Sequence, residues 1–278
     1  MRIVVTGAAG QLGSTIVEHY QPCADVIPAT RQALDIGDGA SVAAFLARER
    51  PDAVINCAAY NDVDGAEDHA AEALRVNAMA VRLLARATAA AGAIFVHYGT
   101  DFVFDGLAAR PYAEDDEPAP QSVYACSKLL GDWFAAECPR HYVLRVESLF
   151  GGSQRRSSVD RIVDAIRTGA PARVFVDRSV TPSYVQDVAA ATWRLIETAA
   201  PAGLYHLVNT GVTTWFELAR EIGRQLGVEP DLVPVQVADV PMKARRPQYA
   251  ALSNAKLAGA GITMPAWQDA LRRYLQAL

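Results

Sequence analysis

The stretch Gly7-Ala8-Ala9-Gly10-Gln11-Leu12-Gly13 follows an apolar, β-branched run, Arg2-Ile3-Val4-Val5-Thr6, and leads directly into residues of helical character. Glycine lets a backbone turn sharply and approach a pyrophosphate closely, while free N–H groups at a helix start supply donors and the positive end of a dipole. Alone, a GxxGxxG spacing reads more readily as a structural turn. Between a strand and a helix it marks a dinucleotide site, and it places a strand–turn–helix unit at the head of the chain.

The rest of the first half agrees. Short β-branched runs alternate with longer Ala-rich stretches, the pattern of a parallel sheet with crossover helices. Strands are expected at Arg2 to Thr6, Ala24 to Pro28, Ala53 to Asn56, Ala93 to Tyr98 and Tyr142 to Val146, with helices near 11–20, 39–50, 66–91 and 122–137. Ile3-Val4-Val5 and Ala93-Ile94-Phe95-Val96 are unbroken apolar runs, as in strands buried on both faces. The predicted class is α/β, a doubly wound parallel (Rossmann) sheet, with residues 1–150 as a dinucleotide-binding domain. After Gly151-Gly152 the texture changes to a polar segment, Ser153 to Ser158, a helix near 159–168 and a strand at Arg173 to Val176. Residues 151–278 read as a smaller, mainly substrate-binding region, some of whose segments return to the Rossmann core. With no repeat or low-complexity linker, the two parts should share an interface and enclose a cleft.

Composition narrows the function. The net charge of −5 is spread without a basic stripe, which excludes nucleic acid as an expected partner. The acidic run Glu114-Asp115-Asp116-Glu117 reads as a solvated loop face. The four cysteines show neither CxxC nor a partnering histidine spacing, so neither zinc nor a disulfide framework is expected, and a reducing cytoplasm suits them. No basic-plus-apolar leader opens the chain and no window is long enough to span a bilayer; a cytoplasmic enzyme without a metal is the expectation.

The second expected strand ends near Pro28, and Ala29-Thr30-Arg31 follows, without the acidic residue that would grip a ribose 2′-hydroxyl. Arg31 either meets a 2′-phosphate, making NADPH the expected cofactor with NADH as the alternative, or is a plain surface arginine. Asp35-Ile36 is placed to flank the adenine, and Asn56-Cys57-Ala58-Ala59-Tyr60 ends the next strand on the same side, with small residues that leave room for a flat nucleotide.

Hydride transfer to a carbonyl leaves charge on oxygen, so the protein must supply a proton. Tyr124 and Lys128 stand four apart on one expected helix face. A unit positive charge roughly 5 Å from the phenol, at an effective dielectric of about 20, is worth about 3 kcal/mol, or roughly two pKa units. A YxxxK pair is also what a buried ring beside a snorkelling lysine would give. Tyr98-Gly99-Thr100-Asp101, ending a strand upstream, sets a hydroxyl where it could bond the same carbonyl oxygen. His69, His97, His141 and His206 have no paired spacing, no serine lies in a nucleophile elbow, and Asp62, Asp64, Glu67 and Asp68 are expected to cap a helix start.

With the glycine turn, Thr100, Tyr124 and Lys128 in this order, the chain resembles the extended short-chain dehydrogenase/reductases, and more closely the dTDP-4-dehydrorhamnose reductase family. Nearly end to end, the resemblance rests on GAAGQLGS at 7, PDAVINCAAYNDVDGAED at 51, GTDFVFDG at 99, YACSK at 124, GLYHLVNTGVTTW at 203 and RPQYAALSNAKL at 246. It implies NAD(P)H-dependent reduction of the 4-keto group of dTDP-4-dehydro-6-deoxy-L-mannose, with Thr100, Tyr124 and Lys128 catalytic. It also implies cofactor contacts from Gly7, Gly10, Gln11, Leu12, Gly13, Asp35, Ile36, Ala58, Ala59, Tyr60, Tyr124 and Lys128, and substrate contacts from Asn61, Val63, Thr100, Asp101, Ser148 and Arg246. Gly99, Phe102, Asn61 and Ser148 stand where the family usually has serine, tyrosine, threonine and tryptophan, and Thr15 stands where some members carry a metal-binding glutamate. A homodimer enters by family analogy alone. Two other readings compete: an epimerase or 4,6-dehydratase, which would need an Asp-Glu pair where Asp101 is followed by Phe102, and a nucleotide-binding regulatory subunit resembling the β subunit of methionine adenosyltransferase.

Overall fold

The computed structural model describes residues 1–278. In chain order the first half contains β1 (Arg2–Thr6), α1 (Gln11–Tyr20), β2 (Asp25–Ala29), α2 (Gly39–Glu49), β3 (Ala53–Asn56), α3 (Gly65–Asp68), α4 (Ala70–Leu74), α5 (Ala80–Ala90), β4 (Ile94–Thr100), α6 (Val123–Ala135) and β5 (His141–Val146). The second contains β6 (Leu149–Phe150), α7 (Ser158–Thr168), β7 (Ala172–Phe175), β8 (Ser179–Val180), β9 (Ser183–Tyr184), α8 (Val185–Glu197), β10 (Gly203–His206), β11 (Thr213–Thr214), α9 (Trp215–Leu226), β12 (Leu232–Val235), α10 (Ala255–Gly259) and α11 (Trp267–Gln276).

A six-stranded parallel sheet runs β2-β1-β3-β4-β5-β10. From β1 the chain winds first to β2 on one side and then to β3 on the other. Loops leaving the carboxyl ends of β1 and β3 therefore diverge and open a crevice, the usual ligand position in such sheets. Ile3, Val5, Ile55 and Val96 pack on one face with α1, α7 and α8, while Val4, Val54 and Phe95 pack on the other with α2 and α5. The first of these clusters continues through Trp215, Leu218, Trp267 and Tyr274, so one core joins the sheet to the C-terminal elements.

Two elements differ from the sequence expectation. The helix expected over 66–91 is interrupted at His69 (φ −122°, ψ 45°) and widens into one π turn at Arg75–Met79. The expected periodicity survives, but the buried Asn77 within that turn has polar partners off the helix, and widened turns of this kind gather at functional sites. The sixth strand, β10, is four residues long and carries no alternating pattern, so the sequence reading stopped at five. It brings residues 203–206 beside β5, while α8 lies on α1 with the Tyr20 hydroxyl donating to the Ala189 carbonyl at 2.8 Å.

Candidate active site

The carboxyl ends of β1, β3, β4 and β5 face a cavity of about 360 Å³. Gly10, Gln11, Leu12 and Gly13 form its floor, Ala58, Ala59, Asn61 and Val63 one wall, and Tyr98 to Phe102, Tyr124, Lys128 and Ser148 the other. A second cavity of about 290 Å³ shares Gly10, Cys57, Ala58, Ala59 and Asn61 with it, and adds Gly7, Arg31, Asp35, Ile36 and Tyr60. The two form one elongated trough, and every candidate residue named from the sequence lines it except Arg246.

The glycine turn is built for close approach. Gly7 has φ +64°, and a Cβ there would stand 2.6 Å from the Ala58 nitrogen; a Cβ at Gly13 would run into the Gly7 carbonyl. No side chain caps α1 at Gly10, so the helix's first N–H groups remain free as donors where the trough begins. By contrast α2, α6 and α7 are closed by Asp38, Ser122 and Ser157.

Opposite the turn, β4 delivers Thr100 and the first turns of α6 deliver Tyr124 and Lys128, all three buried. The Thr100 hydroxyl donates to Asp101 Oδ1 at 3.0 Å and lies close enough to Tyr124 to favour its ionised form. Burial, reinforced by the Asp101 charge, nonetheless pushes the Tyr124 phenol up, so it stays protonated at neutral pH. The Lys128 Nζ donates to the Tyr98 carbonyl at 2.5 Å, a partner that the four-residue spacing does not name. Burial lowers the Lys128 ammonium to about 8, with Asp132 one turn along α6 acting the other way. Phe102 stands edge-on to Tyr124, ring centroids 5.6 Å apart.

Arg246 lies outside the trough because it is engaged elsewhere: both terminal nitrogens bond Asp64 at 2.8 Å. Asp64 also accepts the Ala244 N–H, Lys243 pairs with Asp68, and Glu67 accepts the Val123 N–H at the start of α6. Of the four carboxylates expected to cap a helix, Asp62 does so through Gly65, while the other three clamp the C-terminal loop and α6. The acidic run at 114–117 is likewise only partly a solvated face, since Glu114 accepts the His206 N–H of β10 and Asp116 binds Arg110.

Two residues not singled out from the sequence shape the trough, Arg75 by lining it and Asn77 from behind its wall. Arg75, on the π turn, lines the second cavity beside Arg31, paired with Glu72 at 2.8 Å and 3.7 Å from Asp35. Asn77 exchanges hydrogen bonds with both backbone groups of Tyr60, at 2.8 and 3.0 Å, and donates to Ser127 Oγ, fixing the wall after β3 to α6 between Tyr124 and Lys128. An asparagine inside a helical stretch competes with the backbone for hydrogen bonds, and that misfit was the available signal.

The model of the RmlD substrate binding domain family matches residues 1–278. The chain belongs to that family. A dTDP-4-dehydrorhamnose reductase of Mycobacterium tuberculosis is 38% identical over 99% of this chain and 93% of its own length. Among solved structures, dTDP-4-dehydrorhamnose reductase of Bacillus anthracis in complex with NADP superposes with a TM-score of 0.95 at 32% identity, covering 100% of this chain and 99% of the other. The reductase of Clostridium acetobutylicum superposes with a TM-score of 0.93 at 33% identity, again over 100% and 99%.

Proposed function

We propose that this protein is a cytoplasmic, NADPH-dependent reductase of the 4-keto group of a nucleotide-linked 6-deoxy sugar, with dTDP-4-dehydro-6-deoxy-L-mannose as the leading substrate. One observation carries the reading: a buried threonine, tyrosine and lysine stand on one wall of a trough whose floor is an uncapped helix start after a glycine turn. The family relatives named above support the chemistry.

The residues present fit a nicotinamide dinucleotide. The α1 start and the glycine turn would take the pyrophosphate, Ile36 and Ala58 the adenine, and Arg31 with Arg75 a 2′-phosphate, the feature that favours NADPH over NADH. When bound, the nicotinamide supplies the hydride. Tyr124, held protonated, donates to the nascent alkoxide, and Thr100 orients the carbonyl oxygen beside it. Lys128, held at the Tyr98 carbonyl, remains a cation below its titration near 8 and favours the tyrosinate that forms. Asn61, Val63 and Ser148 would bound the sugar ring, and Arg246 would meet the diphosphate after exchanging its pair with Asp64.

Incubation with NADPH and a dTDP-4-keto-6-deoxy sugar tests the reading: cofactor loss equimolar with a 4-hydroxy product is expected. Turnover without net cofactor consumption would instead identify an epimerase or dehydratase, and no turnover across several nucleotide-linked ketosugars would sink the proposal.

A further inference from the structure

Asp101 and Glu147 follow directly on Thr100 of β4 and Val146 of β5, which pair in the sheet, so two carboxylates only 4% and 2% exposed stand at neighbouring positions, with Asp101 in the trough wall. Glu147 Oε2 accepts the Thr181 N–H at 2.8 Å and the Thr181 hydroxyl, while its Oε1 is buried with no partner. A single cation serves both carboxylates: Arg178, 9% exposed on the turn between β7 and β8, its Nε bonded to the Pro247 carbonyl at 3.3 Å. Arg246 and Asp177 act on Arg178 in turn, Tyr124 faces Asp101 from α6, and Tyr249 faces Glu147 from the C-terminal loop. Two buried negative charges against one positive leave a charge uncompensated in a poorly solvated site, and a retained proton removes it.

We propose that Asp101 and Glu147 hold one proton between them at neutral pH and that Asp101 returns it, through the Thr100 hydroxyl, to Tyr124 after each reduction. Burial raises Asp101 to about 7, and the Asp101 charge adds to burial in pushing Glu147 up, which agrees with the charge count. The relay runs along the trough wall from Tyr124 through Thr100 to Asp101. Tyr124 gives its proton to the carbonyl oxygen as hydride reaches the carbon, and the tyrosinate takes the Thr100 hydroxyl proton. The Thr100 oxygen then takes the Asp101 carboxyl proton, across the 3.0 Å contact between them. Asp101 lines the open trough and is recharged by water. The shared proton stands on the structure alone; the relay rests on the reductase reading above.

Infrared spectroscopy at pH 7.5, without substrate, tests the shared proton on the wild type, Glu147→Gln and Asp101→Asn. The carbonyl stretch of a protonated carboxyl is expected in the wild type and lost in both variants, because the one remaining carboxylate is then balanced by the Arg178 charge. Survival of the band in Asp101→Asn, or its absence from the wild type, overturns the proposal whether or not any ketosugar is turned over. The relay is tested by the pH profile of kcat. In Glu147→Gln, which keeps an acceptor for Thr181, the alkaline fall moves to lower pH by at least one unit and kcat at pH 7.5 drops about tenfold, with the KM for NADPH unchanged. Superimposable profiles would overturn it.

Discussion

The two ends of the trough are built by different means. At the cofactor end the backbone forms the surface: a φ of +64° at Gly7, a Gly13 packed against the Gly7 carbonyl and an uncapped α1 admit a flat, charged ligand. At the end proposed for the sugar side chains form it, with Thr100 and Asp101 at the end of β4, Tyr124 and Lys128 from α6 and Ser148 after β5. Backbone surfaces tolerate almost no substitution but recognise a ligand shared by many enzymes. Side-chain surfaces can be exchanged one residue at a time, and Asn61 and Ser148 stand at that end.

Substitutions at the two ends should therefore fail differently. The largest effect is expected for Tyr124→Phe, which removes the proposed proton donor while keeping the ring against Phe102: kcat should fall about 10²–10⁴-fold with NADPH affinity intact, read by steady-state kinetics beside a binding titration. Comparable loss of NADPH binding would mean that the two ends are not separable. Gly7→Ala attacks the other end. A non-glycine residue at this φ costs about 1–2 kcal/mol before the close contact with Ala58 is added, so NADPH affinity should fall about tenfold or more by titration.

Lys128→Met should trade function for stability. The folded protein releases the Lys128 proton near 8 while the unfolded chain holds it to the ordinary lysine value, so burial penalises the fold below pH 8 and the penalty fades as pH rises towards 10.5. The variant should lose activity yet gain about 1–3 kcal/mol of stability at neutral pH, a gain that shrinks in alkaline denaturant titrations. Arg31→Ala should narrow the preference for NADPH over NADH about tenfold, the worth of a hydrogen bond to a charged group, measured as the ratio of kcat/KM for the two cofactors. The smallest effect is expected for Asp64→Asn: its carboxylate is 41% exposed, so the pair with Arg246 contributes at most about 0.5–1 kcal/mol after screening. Its signature would be a changed KM for the sugar nucleotide, since the substitution releases Arg246.

The same contrast explains what could be read from the chain beforehand. Glycine at positive φ has few substitutes, and a tyrosine and lysine one helical turn apart share a face whatever surrounds them. The turn at 7–13, five of the six sheet strands to within two residues, and the Tyr124–Lys128 pair were legible for those reasons. Arg246 and Asp64 are 182 residues apart, and no local pattern records that they meet. Asn77 acts on Tyr60 only because one turn widens, which helical periodicity does not reveal. The bond from Lys128 to the Tyr98 carbonyl was not legible either, since a four-residue spacing records a shared helix face and not a partner on β4.

The central claim is net hydride delivery to a sugar carbonyl at the Tyr124 wall. NADPH carrying deuterium at the transferable nicotinamide position, mixed with dTDP-4-dehydro-6-deoxy-L-mannose, tests it most directly. The account predicts one deuterium at C4 of the product sugar for each cofactor oxidised, and none with Tyr124→Phe over the same interval. A product without label, or label that returns to the cofactor with no net oxidation, would contradict it.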